Sequence, residues 1–254
     1  MTVNGLLKKP VKACALIPVY NNHMTLEKVV SDVQQYIRHI VIVDDGSHDG
    51  TETIVDRLHE NDPDHIYIFH QAVNTGKGAA IQMGLEIAHT HGFTHALQID
   101  ADGQHDINDI PRFLEMATES PNSLILGDPV YGDDIPAIRK HGRKLTTAMI
   151  ALETGSLKMP DAMCGFRIYP VAATRELGRI SPRMSYDPEV MIRAYWAGIP
   201  FKIVATKVRY LSAEEGGISH FRMVRDNVIN IWVHTQLLLQ APLRLLLRAI
   251  KTSH

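Results

Sequence analysis

Residues 96–104 read Ala96-Leu97-Gln98-Ile99-Asp100-Ala101-Asp102-Gly103-Gln104. A short apolar run passes directly into two acids and a glycine. Ala96 to Ile99 has the length and composition of a buried strand. On the extended segment that leaves it, Asp100 and Asp102 point to the same side. Two carboxylates side by side repel, and a divalent cation removes the repulsion. Hard oxygen ligands suit Mg²⁺ or Mn²⁺, which can bridge to a diphosphate, and Gln104 offers one further neutral oxygen. Asp-x-Asp is common by chance, so the sequence around it decides its meaning.

Upstream, Ala13 to Val19, Ile40 to Val43 and Ile66 to Phe69 read as strands. Helical patterns over Thr25 to Ile37, His48 to Glu60 and Lys77 to His91 alternate with them, the last with Ile81, Leu85 and Ala88 on one face. This β-α rhythm predicts an α/β domain with a mostly parallel sheet. Ligands of such sheets bind beyond the carboxyl ends of the strands. Downstream, Ser123 to Gly127, Met163 to Tyr169 and Phe201 to Tyr210 read as further strands. Ala137 to Leu152 reads as a helix fronted by Arg139, Lys140, Arg143 and Lys144. The last pattern, Phe221 to Ile250, is a Leu- and Ile-rich helix interrupted by Pro242. No linker divides the chain, which gives one domain over 1–220 followed by a helical segment over 221–254.

The 254 residues can bury one large core. A net charge of −2 provides no basic field for a nucleic acid polymer. Cys14 and Cys164 lie in apolar runs, which suits buried free thiols. The 14 histidines are scattered rather than set at zinc-ligand spacing, and His89 and His91 fall at a helix end, facing solvent. The first ten residues lack the apolar core of a secretory signal, so the expected location is cytoplasmic.

Three more loops follow predicted strands. Ile17-Pro18-Val19-Tyr20-Asn21-Asn22 is stiffened by Pro18, so that Tyr20 and Asn21 face the crevice; taken alone, a plain turn explains it better. In Val43-Asp44-Asp45-Gly46-Ser47-His48-Asp49-Gly50-Thr51, an Asp can accept from a nucleobase or a ribose, while Ser47 or Asp49 can cap the next helix. In Asn74-Thr75-Gly76-Lys77-Gly78, small residues let backbone N–H groups approach an anion, and Lys77 adds charge. The Gly-Lys-Ser/Thr of a Walker loop is absent.

These four loops, in this order, resemble the family 2 glycosyltransferases over the first hundred residues. Asp161-Ala162-Met163-Cys164-Gly165-Phe166-Arg167 is similar to the Asp-x-x-Ser-Gly-Phe-Arg segment of the polyprenyl- and dolichol-phosphate sugar synthases. Gly216-Gly217-Ile218-Ser219-His220 is similar to their late Gly-x-Ser-Lys loop. Cys164 stands for their Ser, His220 for their Lys, and Gly127-Asp128-Pro129 for their Gly-Ser-Arg. The resemblance implies a GT-A, Rossmann-like single domain with a central, mostly parallel mixed sheet flanked by helices, plus a C-terminal amphipathic helix. It implies an inverting transfer from a nucleotide-diphosphate sugar to a lipid-phosphate or glycan acceptor. Pro18, Tyr20, Asn21, Asp45, Lys77, Asp100, Ala101 and Asp102 would bind the donor. Asp102 and Gln104 would hold Mg²⁺ or Mn²⁺, and Arg167 would face the acceptor.

Transfer to a hydroxyl needs a general base. Ser185-Tyr186-Asp187-Pro188-Glu189 supplies the candidate, Asp187, which reads equally as an N-cap before Pro188 at the first helical position. Transfer to an ionised phosphate needs none; Arg167, Arg139 and Arg143 would then clamp it, although composition alone favours a solvated helix face for Arg139 and Arg143. The last helix is too polar to span a membrane, which takes about 20 mostly apolar residues. Leu245, Leu246 and Leu247 between Arg244 and Arg248 suit an anionic inner-membrane surface, giving a peripheral membrane location. Packing on its own domain or in a homodimer is the other reading of this helix. Among rivals, a haloacid-dehalogenase-type phosphohydrolase would use Asp100 as nucleophile, but places that motif on its first strand. A sugar nucleotidyltransferase would need a Gly-rich basic loop after the first strand. A lectin-like scaffold has no use for a metal–diphosphate site.

Overall fold

The computed structural model describes residues 10–130, 137–157, 159, 160, 162, 164–208 and 223–252. Seven strands form one sheet in the order β3-β2-β1-β4-β6-β5-β7. They are β1 (Ala13–Val19), β2 (Ile40–Asp44), β3 (Ile66–His70), β4 (His95–Gln98), β5 (Leu124–Val130), β6 (Arg167–Pro170) and β7 (Phe201–Lys207). Pairings among β1 to β4 are parallel, as is β5 with β7; β6 runs antiparallel between β4 and β5. The expected mostly parallel mixed sheet is therefore present.

The strands read as unbroken apolar runs because both faces of the sheet are covered. Their period of two divides them between two cores. Cys14, Leu16, Val41, Val43, Leu124, Leu126 and Tyr169 pack on one face with helices α3 (Lys77–Thr90), α7 (Tyr186–Ala197) and α8 (Met223–Thr252). Ala15, Ile17, Ile40, Ile42, Ile125 and Ile168 pack on the other with α1 (Leu26–Gln34), α2 (Thr51–Asn61) and α4 (Ile110–Glu119). Two further helices are α5 (Ala137–Thr154) and α6 (Val171–Arg175). Both cysteines are buried free thiols, and burial pushes the Cys14 thiol up to about 12.

Several boundaries differ from the sequence reading. Helix α2 starts at Thr51 rather than His48, because Asp49 accepts from the Thr51 N–H and hydroxyl and so fixes the first turn. Strand β6 starts at Arg167 rather than Met163. The last helix is continuous through Pro242; that residue is exposed, so water can serve the carbonyl it leaves unpaired. Helix α4 is an addition: its Ile110, Phe113 and Ala117 stripe is buried behind a proline at its start. His89 and His91 are exposed as expected, but His95 is buried, where its Nε2 pairs with the Pro121 carbonyl at 2.9 Å.

Helix α8 lies with Asp226, His234, Leu237 and Ala241 inward. His234 Nδ1 meets the buried Glu153 of α5 at 2.8 Å, and the Trp196 indole of α7 donates to the Glu153 carbonyl at 2.9 Å. Its outer face carries Val228, Ile231, Trp232, Leu239, Leu243, Leu246 and Ile250, all exposed. No helix among the described residues is long and apolar enough to cross a membrane.

Candidate active site

The strand order reverses between β1 and β4, and there the sheet opens. Their pairing ends at Leu16 and Gln98, followed by one bond from Ile99 N–H to the Leu16 carbonyl at 3.0 Å. Pro18 shares the parity of Leu16 and faces β4. Its missing N–H falls where β4 has already turned away, so a proline sits in a central strand without breaking a ladder.

The first three loops are latched to one another. The Asn21 N–H donates to Ser47 Oγ at 2.9 Å, and the His48 N–H to Asn21 Oδ1 at 3.0 Å. Asn21 takes φ 50°, a left-handed conformation that asparagine tolerates. The Tyr20 ring lies 6.0 Å from that of His48. Asp44 accepts from the Ser47 N–H and pairs with His70 Nδ1 at 2.9 Å. Asp45 accepts four hydrogen bonds from the third loop: Asn74 Nδ2 (2.9 Å), Thr75 N–H (2.8 Å), Thr75 Oγ1 (3.0 Å) and Gly76 N–H (2.8 Å). Burial raises the Asp45 carboxyl above its ordinary value, and these donors offset part of the rise. Gly46 completes the latch at φ 75°, since a Cβ there would lie 2.8 Å from the Val73 carbonyl carbon.

Lys77 opens α3 and points into the crevice, 2.8 Å from Asp100 Oδ1, 3.0 Å from Asp100 Oδ2 and 3.5 Å from Asp187 Oδ2. Burial alone would favour its neutral form; the two carboxylates outweigh it and keep it charged. Gln98 Nε2 donates to Asp100 Oδ1 at 3.4 Å and is itself held by the Tyr169 hydroxyl at 2.7 Å. His105 stacks on Phe166 with ring centroids 5.2 Å apart, its Nε2 3.5 Å from Asp100 Oδ2. Burial would raise the Asp100 carboxyl; Lys77 and His105 reverse this and hold it well below the usual carboxylate range. Gly165 passes so close that a Cβ would lie 2.5 Å from Asp100 Oδ2.

Asp102 is different. Its Oδ1 accepts only the Gln104 N–H, at 3.0 Å, and among the described residues no cation pairs with it. Burial and the Asp100 charge raise its carboxyl. Ala101 between them is buried, and its carbonyl accepts from Thr25 Oγ1 at 2.6 Å. The Gln104 side chain makes no hydrogen bond to a described residue. No three His, Cys, Asp or Glu converge to hold a metal unaided among those residues. An uncompensated carboxylate beside a free amide oxygen fits a hard cation that completes its shell from a substrate diphosphate.

Asp187 does not cap α7. The N-cap is Ser185, and Asp187 lies in the first turn, 5% exposed. One of its oxygens faces Lys77 and the other lies 3.5 Å from Arg167 Nη1. Arg167 lies deeper than the sequence reading expects. It is fully buried, and its guanidinium donates to the carbonyls of Cys164 (2.7 Å), Asp187 (3.0 Å) and Ala162. Its side chain is fully covered and ties the floor of the site together. The side chains of Arg139, Lys140, Arg143 and Lys144, together with Asp161, Met163 and residues 216–220, lie outside the described residues.

Asp100 thus stands at the end of the fourth strand in chain order, both oxygens engaged by Lys77. The phosphohydrolase alternative places its motif on a first strand, and the position of Asp100 after β4 speaks against it.

Among known proteins, the chain is 33% identical over 118 residues to polyprenol monophosphomannose synthase of Mycolicibacterium smegmatis, covering 46% of this chain and 44% of that protein. It is 27% identical over 208 residues to a dolichyl-phosphate beta-glucosyltransferase of Trichomonas vaginalis, covering 74% of this chain and 62% of the relative. In structure it resembles glucosyl-3-phosphoglycerate synthase from Mycobacterium tuberculosis, solved with Mn²⁺, UDP and glucosyl-3-phosphoglycerate. That likeness has TM-score 0.62 and 15% identity, over 94% of this chain and 80% of the other. It also resembles TarS of S. aureus in complex with UDP-GlcNAc, with TM-score 0.59 and 14% identity, over 94% of this chain and 69% of that one. These likenesses show a GT-A fold. The model of the family described as "Glycosyl transferase family 2" matches residues 14–178, the part of the chain that carries the three latched loops and the Asp100–Asp102 pair, and the chain belongs to that family.

Proposed function

We propose that this enzyme transfers a sugar from a nucleotide-diphosphate donor to a lipid phosphate of the polyprenyl type, with inversion and with Mg²⁺ or Mn²⁺. The observation that carries this reading is the unpaired Asp102 beside Lys77-bound Asp100 at the mouth of the sheet. Asp102 and Gln104 would hold the cation, which when bound neutralises charge on the departing diphosphate. Asp100 would orient that site, and Pro18, Tyr20, Asn21, Asp45 and Ala101 would form the donor side. The acceptor oxygen attacks the anomeric carbon as the bond from that carbon to the diphosphate oxygen breaks, and the electron pair leaves on the diphosphate.

Asp187 favours a phosphate acceptor over a glycan hydroxyl. It lies between Lys77 and Arg167, and taking a proton from a hydroxyl would forfeit both ion pairs. An ionised phosphate brings no proton to remove. The names of the relatives quoted above agree with such an acceptor. The outer face of α8 supports action at an anionic membrane surface, on the cytoplasmic side. Arg225 and Arg244 are exposed on α8, whereas its one acid among the described residues, Asp226, is buried.

Thermal stabilisation by UDP, GDP and TDP sugars, with and without Mn²⁺, tests the donor site. One nucleotide should stabilise in a Mn²⁺-dependent way, and Asp102→Ala should abolish this. No response to any nucleotide refutes the reading. Mass-spectrometric transfer assays with a polyprenyl phosphate and with free glycans then decide the acceptor.

A further inference from the structure

A second charge without a partner among the described residues lies against the Gly76–Lys77 turn. The segment from Ile180 to Tyr186, between α6 and α7, packs directly on that turn. The Gln82 side chain clasps Ile180 at both its N–H and its carbonyl, each at 3.1 Å. The Ser181 N–H donates to Glu189 Oε2 at 2.9 Å. The Pro182 carbonyl accepts from the Ala79 N–H at 2.9 Å. At the apex of this pinned loop is Arg183, half-buried. A Cβ on Gly76 would lie 2.8 Å from Arg183 Cγ and 2.6 Å from the Pro182 carbonyl, so Gly76 is the residue that lets the two loops meet.

The Arg183 guanidinium has no hydrogen-bond or ion-pair partner among the described residues. The neighbouring cations are committed: Lys77 to Asp100 and Asp187, and Arg167 to backbone carbonyls and Asp187. Asp45, whose carboxyl feels the Arg183 charge, is filled by four hydrogen bonds from the third loop. Arg183 lies close enough for its charge to lower the Asp45 carboxyl that burial has raised, yet it forms no ion pair with it. A cation on a pinned loop, beside the N-terminus of the 14-residue α3, meets no anion among the described residues.

We propose that Arg183 binds the diphosphate of the nucleotide sugar, in the place that the sequence reading gives to Lys77. This rests on the donor reading above and adds the residue that meets the donor's negative charge. Lys77 then acts as counter-ion to the carboxylates of the site, and Arg183 supplies the fork that pairs with phosphate oxygens.

The test uses the full chain with Mn²⁺ and titrates UDP, GDP and TDP, then the nucleoside of whichever one binds. Arg183→Ala should weaken the diphosphate by about 10- to 100-fold, the scale of one charge-assisted hydrogen bond. The nucleoside should change by less than about threefold on the same scale of reasoning, since it carries no charge. Arg183→Lys should recover part of the loss. Equal binding of the diphosphate by wild type and Arg183→Ala would overturn this inference alone. Equal losses for diphosphate and nucleoside would also overturn it, because they mark a loop that has lost its shape. A wild type that binds none of the three diphosphates would overturn it together with the donor reading.

Discussion

Replacing Lys77 by methionine separates two roles for one side chain. A phosphate ligand, when lost, weakens donor binding and leaves the fold intact. A counter-ion, when lost, strands buried carboxylates and weakens the fold. The ammonium lies 2.8 Å from Asp100 and 3.5 Å from Asp187, and the three side chains are 18%, 25% and 6% exposed. At an effective dielectric constant of about 20, the two attractions are about 6 and about 5 kcal/mol. Both are ceilings, because burying three ions offsets much of the gain. Removing one partner of a buried pair costs about 3–5 kcal/mol, chiefly from the charge left behind. Arg167 still faces Asp187 and His105 still faces Asp100, which puts the expected loss at the lower end, about 3 kcal/mol.

At about 2–4 °C per kcal/mol for a chain of this size, Lys77→Met should lower Tm by about 6–12 °C. Urea unfolding of wild type, Lys77→Met, Asp100→Asn and the double variant measures the coupling. The double variant should be less destabilised than the sum of the singles by about 1 kcal/mol or more, since a neutral amide needs no counter-ion. A Lys77→Met protein within about 0.5 kcal/mol of wild type, yet unable to bind a nucleoside diphosphate, would refute the counter-ion assignment.

Gly165→Ala should lower stability by about 1–2 kcal/mol. It should also weaken Mn²⁺-dependent nucleotide binding in isothermal titration, because the new methyl displaces the Asp100 carboxylate from Lys77. The pH dependence of unfolding should carry a signature of His70: burial lowers its pKa, but Asp44 and Asp56 outweigh this and raise it. That contribution is fully present below the unfolded value, about 6.5, and is lost as pH rises through the higher folded value; a His70→Asn protein with the same slope above neutrality would disprove it. On α8, Leu239 is 80% exposed, so Leu239→Glu should change stability by less than about 0.5 kcal/mol while abolishing co-sedimentation with phosphatidylglycerol vesicles. Wild-type protein that stays in the supernatant and runs as a dimer in sedimentation would instead assign that face to a second copy.

Much of the fold was legible because parallel strands covered on both faces must be apolar throughout. Ala13–Val19 was read to the residue, and β2, β3 and β4 to within one. Near Gly165 the same logic misled. Met163 to Phe166 is as apolar as a strand, but Gly165 lies beneath Asp100, and pairing begins only at Arg167. The paired acids were legible because their spacing on an extended segment is local. Their partners were not, since Lys77, His105, Asp187 and Arg167 come from separate elements and meet only in the folded chain. His105 carried a faint signal, standing next to Gln104 in the same loop; Arg183 carried none. Arg167 shows the limit of a motif: it names the residue type without saying whether the side chain faces a ligand or the floor.

The charges of the crevice explain why two of them matter most. Asp100 and Asp187 are balanced by Lys77 and Arg167, and the latched loops fill Asp45 and the Asn21 carboxamide with their own donors. These contacts hold the site in shape before anything binds, so little reorganisation remains for the binding step. Among the described residues, left over are an anion, Asp102, on the fourth loop and a cation, Arg183, on the pinned loop against the Gly76–Lys77 turn. A metal ion alone would satisfy the first, and a free phosphate the second. A ligand that carries a cation at one end of a diphosphate and exposes phosphate oxygens at the other satisfies both at once. Weakening either residue should therefore lower affinity for the metal–diphosphate complex more than for metal or nucleoside alone.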